Sequence, residues 1–140
     1  MNQVKSLMLE YCSRRSENNL VSLHQEYFST IADIDMFVRV WNTISQILNY
    51  PSPELMYIED ELIELIRINN RKSHWLDWLD PFPIPYFEDN YEILECFDRE
   101  FPGDRNYHLS YTAVDKSIEL STVGDLLSFI LSELYISKIY

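Results

Sequence analysis

The chain has 140 residues, 46% of them hydrophobic and 14% aromatic, with only two glycines, a composition that excludes a disordered acidic tail and fits one ordinary domain. It carries 23 acidic against 11 basic residues, a formal net charge of -12. Such a field excludes nucleic acid and anionic membrane as expected partners, because both need lysine and arginine to displace counterions, and it favours a basic protein surface.

The apolar residues Val4, Leu7, Met8 and Tyr11 predict a short first helix, ended by the polar run Ser13 to Asn19. Leu20, Leu23, Tyr27, Phe28 and Ile31 suggest a second helical segment, with Thr30 and Asp33 marking either a bend or a new start. From Ile34 the pattern sharpens. Phe37, Val38, Trp41, Ile44 and Leu48 recur at three and four, which predicts a core helix stopping near Asn49-Tyr50-Pro51. Ser52-Pro53 then reads as a polar cap followed by proline at the first helical position. The expected helix buries Leu55, Ile58, Leu62, Leu65 and Ile66 and turns Glu54, Glu59, Asp60, Glu61 and Glu64 to water.

The stretch 69–87 is different, because Pro81, Pro83 and Pro85 lack amide hydrogens at alternate positions and exclude both helix and central strand. With Trp75, Trp78, Phe82, Ile84, Tyr86 and Phe87 it either closes a core opening or presents rings to a partner. Next, Asp89 with Glu92 three residues on opens an N-capped helix whose stripe is Ile93, Phe97 and Phe101. After the Pro102-Gly103 turn, Tyr107, Leu109, Tyr111 and Ala113 alternate with polar residues, and Ile118 and Leu120 offer a second short run. The last helix starts with Thr122 and Asp125 as caps and places Val123, Leu127, Ile130, Leu131 and Leu134 on one side. The expected fold is mainly α: a single helical bundle over 1–140, with an added N-terminal helical segment (1–30), a Pro/aromatic insertion (69–87) and room for a two-stranded hairpin around 106–120.

No reaction chemistry is legible. His24, His74 and His108 lie in three segments without metal-ligand spacing, and Cys12 and Cys96 stand 84 residues apart, which suggests neither a disulfide framework nor a zinc knuckle. Adjacent carboxylates such as Glu59-Asp60-Glu61 point apart rather than into one cleft, and glycine at 103 and 124 alone provides no phosphate loop. No apolar run reaches signal-peptide length or the roughly 18 residues of a membrane span, so a cytoplasmic, non-enzymatic protein without cofactor or metal is expected.

Two runs carry a family resemblance. Tyr91-Glu92-Ile93-Leu94-Glu95-Cys96-Phe97-Asp98-Arg99-Glu100-Phe101 and Ser121-Thr122-Val123-Gly124-Asp125-Leu126-Leu127-Ser128-Phe129-Ile130 resemble the second and last helices of acyl carrier proteins, and residues 34–62 are similar to that family's first helix and long loop. The resemblance implies a carrier-like bundle over roughly 34–62 and 86–131. In that family phosphopantetheine is attached to a serine at the start of the second helix, and the corresponding place here is Phe87, whose ring has no nucleophilic oxygen. The resemblance therefore implies the fold while arguing against carriage. A carrier whose site has been displaced, with Ser73, Ser110, Ser117 or Ser121 in that role, stands as the alternative.

The acidity is concentrated, with 13 carboxylates against 4 Arg or Lys between Glu54 and Glu100. A well-solvated surface would look equally acidic. The functional expectation is a non-catalytic protein-binding module, in its most concrete form an immunity protein that neutralises a basic toxin or nuclease. The expected contacts are Glu88, Asp89, Glu92, Glu95 and Asp98 on the polar side of one helix, beside Trp75, Trp78 and Tyr86. Charge would set the approach and a few buried rings most of the affinity.

Overall fold

The computed structural model describes residues 3–69, 89–101 and 119–139, which contain six α-helical segments and no β-sheet. The bundle is mainly helical, as its apolar periodicity dictates. The helices are α1 (Gln3–Tyr11), α2 (Leu20–Leu23), α3 (Ile34–Ile47), α4 (Leu62–Asn69), α5 (Asn90–Glu100) and α6 (Val123–Ile139). The proposed hairpin falls almost wholly outside the described residues.

The core is built on α3. It buries Phe37, Val40, Trp41, Ile44 and Ile47 and packs against α5 and α6, while α1 packs on α4. Asp33 caps the start, its carboxylate accepting the Met36 amide at 2.8 Å, so a new helix starts here, with Asp33 as its cap. The other end is a Schellman motif. Asn49 adopts a left-handed φ of 65°, its amide donates to the Gln46 carbonyl, and the Tyr50 amide donates to that of Ser45 at 3.0 Å. Asparagine tolerates this conformation better than most residues. The reversal sends Tyr50 back into the core.

The second segment departs from a regular stripe. α2, capped by Asn19, widens into a π-helical turn over His24–Phe28, which turns Phe28 inward onto Phe37 at 5.0 Å between ring centroids and leaves Tyr27 51% exposed. His24 is held by the Ala32 carbonyl at 2.6 Å and lies against the Phe37 ring.

A larger correction concerns 52–61. Proline does open a helix at Pro53, but only a 3-10 turn over Pro53–Leu55; Met56 is extended, and α4 begins at Leu62. Asp60, expected on a wet face, is 5% exposed. An Arg15 fork and a Tyr50 hydroxyl reach it from elsewhere in the chain, and the Tyr57 amide donates to it from within the non-helical segment.

This non-helical segment is stitched to the start of α6. Leu62, Val123 and Gly124 amides donate to the Ser121, Asp60 and Ile58 carbonyls at 2.9 Å each, around a single antiparallel bridge between Glu61 and Thr122. Thr122 and Asp125 form the expected reciprocal box: Thr122 Oγ1 accepts the Asp125 amide and the Asp125 carboxylate accepts the Thr122 amide. Gly124 sits at this close approach: a Cβ there would lie 3.1 Å from the Ile58 carbonyl oxygen, so the facing backbone would have to give by a few tenths of an ångström. Because Gly124 is only the second residue of α6, Gly124→Ala gains less than the helix propensity of about 1 kcal/mol that an interior position would give. Overpacking against a hydrogen-bonded backbone costs about 1–3 kcal/mol and outweighs it. We expect the melting temperature to fall by a few degrees, and a rise in thermal denaturation would show that the two segments can part without loss.

Candidate interaction surface

Helix α5 carries the carboxylates singled out from the sequence. Asp89 is its N-cap and accepts the Glu92 amide at 3.1 Å, so this side chain is fixed at the helix entrance. Asn90, Ile93, Leu94, Cys96 and Phe97 are buried, with Phe101 stacked on Phe97 at 4.9 Å. At about 100° per residue the remaining arc holds Tyr91, Glu92, Glu95, Asp98 and Arg99. Glu95 and Asp89 are exposed, while Glu92 and Asp98 are half-buried. Arg99 sits among these acids and lowers the charge of the face without cancelling it. The structure thus brings together four of the eight expected contact residues; Glu88, Trp75, Trp78 and Tyr86, with Phe87, lie outside the described residues.

A second acidic feature escaped the sequence reading. The Asp60 carboxylate receives both Arg15 guanidinium nitrogens at 2.6 Å, the Tyr50 hydroxyl at 2.6 Å and the Tyr57 amide at 3.1 Å. Arg15, 16% exposed, also donates to the Leu55 carbonyl and lies between the Tyr11 and Tyr57 rings, 4.6 and 4.4 Å from their centroids. Burial alone would weaken the guanidinium's hold on its proton, yet Asp60's hydrogen bonds and charge reverse this and raise the pKa. Burial, reinforced by Asp60's charge, pushes the Tyr50 hydroxyl far above the ordinary tyrosine range. A carboxylate so fully engaged and so removed from water cross-links distant segments of the chain. No local spacing announces it, since its members come from positions 15, 50, 57 and 60.

Cys12 and Cys96 are free and buried, and burial raises both thiol pKa values, which disfavours the thiolate a nucleophile needs. Among the described residues no group of three or more His, Cys, Asp or Glu is placed to hold a metal ion. Among the same residues no helix is long and apolar enough to cross a membrane.

Where α4, α5 and the approach to α6 meet, a groove of about 540 Å³ opens. Glu61, Ile63, Ile66, Asp89, Leu120 and Thr122 are among its walls. The Asn90 side chain donates to the Leu120 carbonyl at 2.8 Å and fixes one wall to the other. Comparison with protein families, with curated proteins and with solved structures finds no match to this chain.

Proposed function

We propose that the protein is a non-catalytic binding module for a basic protein, most concretely an immunity protein that covers the active surface of a basic toxin or nuclease. The observation that carries this reading is the concentration of acid between Glu54 and Glu100, where 13 carboxylates, one of them the buried Asp60, stand against 4 Arg or Lys, with Asp89, Glu92, Glu95 and Asp98 on one helix. A rigid helix presenting several like charges steers an oppositely charged partner and disfavours wrong ones. Carriage of phosphopantetheine is the weaker reading, because the acyl-carrier resemblance puts Phe87 where the attachment serine would stand.

The test is a charge-reversed variant, Glu92→Lys with Glu95→Lys and Asp98→Lys, shown by circular dichroism to remain folded. Its association rate with the basic partner captured from native lysate should drop at least about tenfold at low salt, with a small change in dissociation. Raising the salt should bring the two proteins' rates together. Capture of the same partner at an unchanged rate would reduce the α5 carboxylates to ordinary solvated surface.

A further inference from the structure

We propose that the groove between α4, α5 and the start of α6 is the docking site for a segment of the basic partner in which an apolar side chain is flanked by lysine or arginine. The inference rests on the basic-partner reading and names the surface that would meet it. The floor is apolar: Ile63 is 62% exposed, the most exposed large hydrophobic side chain among the described residues, with Ile66 and Leu120 beside it. The rim is acidic. Glu61 and Asp89 are both exposed, and the described lining contains no lysine, arginine or histidine.

Three helices begin here, and their positive ends could in principle attract an anion instead. Each end is equivalent to about half an elementary charge. Against them stand the full charges of Glu61 before α4, Asp89 at the cap of α5 and Asp125 in the first turn of α6, so the balance stays negative. Capping also holds the Asp89 and Asp125 carboxylates in place, so little freedom is lost when a cation binds nearby. Arg67, the one cation of α4, is paired with Glu64 at 2.7 Å and so does not neutralise the rim. A volume of about 540 Å³ lies within the roughly 300–1,000 Å³ of sites that take small ligands. It suits one or two anchoring side chains of a loop rather than the face of a whole helix.

The probe is a short end-capped peptide alternating lysine and leucine, titrated into the isotope-labelled full chain and followed by amide chemical shifts. Shifts should concentrate at Glu61 to Ile66, Asp89 to Asn90 and Leu120 to Thr122. Affinity should fall about tenfold for Ile63→Ser, which removes an exposed apolar anchor surface. It should fall several-fold for Glu61→Gln combined with Asp89→Asn, because asparagine keeps the helix cap while losing the charge. Equal binding of a peptide with glutamate for lysine, or with serine for leucine, would overturn the proposed ligand chemistry. Self-association of the free protein that Ile63→Ser abolishes would overturn it too, since the groove would then belong to a second copy of the chain. Shifts confined to the polar arc of α5 would remove the groove as the site while leaving a basic partner in place. No binding of the lysine peptide anywhere, together with an unchanged capture rate for the charge-reversed α5 variant, would remove both.

Discussion

Asp60→Ala is expected to lower the folding free energy by about 3–5 kcal/mol, because it leaves the Arg15 guanidinium largely buried with no counter-charge and removes the acceptor of the Tyr50 hydroxyl. The damage should spread. Asp60 joins the segment after α1 to the loop before α4, and its own carbonyl receives the Val123 amide at the start of α6. Urea denaturation measures the loss. Arg15→Met combined with Asp60→Leu should recover part of it, since an apolar pair of suitable volume strands no charge. If the double variant is no more stable than Asp60→Ala alone, packing rather than the stranded charge sets the cost.

The same cluster fixes an alkaline response. Tyr50 has a raised pKa in the folded protein, chiefly through burial and then through Asp60's charge. A raised folded value means that the proton's contribution is complete below the unfolded tyrosine pKa of about 10 and is lost as the pH climbs above it. Stability should therefore decline above about pH 10, and Tyr50→Phe should flatten that decline while costing about 1 kcal/mol at neutral pH. Parallel alkaline curves for the two proteins would assign the response to other groups.

Trp41→Ala carries the other large expected effect, about 3–5 kcal/mol. The indole is fully buried at the centre of α3, lies 5.6 Å from Phe37 between ring centroids, and donates from Nε1 to the Pro53 carbonyl at 2.7 Å. Truncation removes the largest side chain of the core among the described residues and leaves that carbonyl without its indole donor. Against a total stability of about 5–15 kcal/mol the variant should be close to unfolding. Trp41→Phe separates the two losses by keeping most of the apolar volume. A midpoint shift equivalent to less than about 1 kcal/mol for Trp41→Ala would mean that the site collapses around the deletion. Phe97→Ala, on the facing helix, is expected to behave similarly, because its ring is also fully buried and stacked on Phe101.

The helices and their ends were written locally. Phe37, Trp41 and Ile44 share one helical face whatever surrounds them, Asp89 lies within reach of the Glu92 amide, and Thr122 and Asp125 satisfy each other across one turn. The same holds for the candidate surface on α5, where the order of residues alone puts Glu92, Glu95 and Asp98 opposite Ile93 and Phe97. Asp60 was different. By spacing it belongs with Glu59 and Glu61 on a wet face, and local propensity contains nothing to turn it inward. Its position depends on Arg15, 45 residues earlier, and on the left-handed Asn49 that redirects Tyr50. The groove likewise exists only once α4, α5 and α6 begin side by side. Backbone caps and apolar stripes act over three or four residues and can be read in sequence, whereas a charge enters the core only where distant segments bring it a partner, and that is decided by tertiary packing.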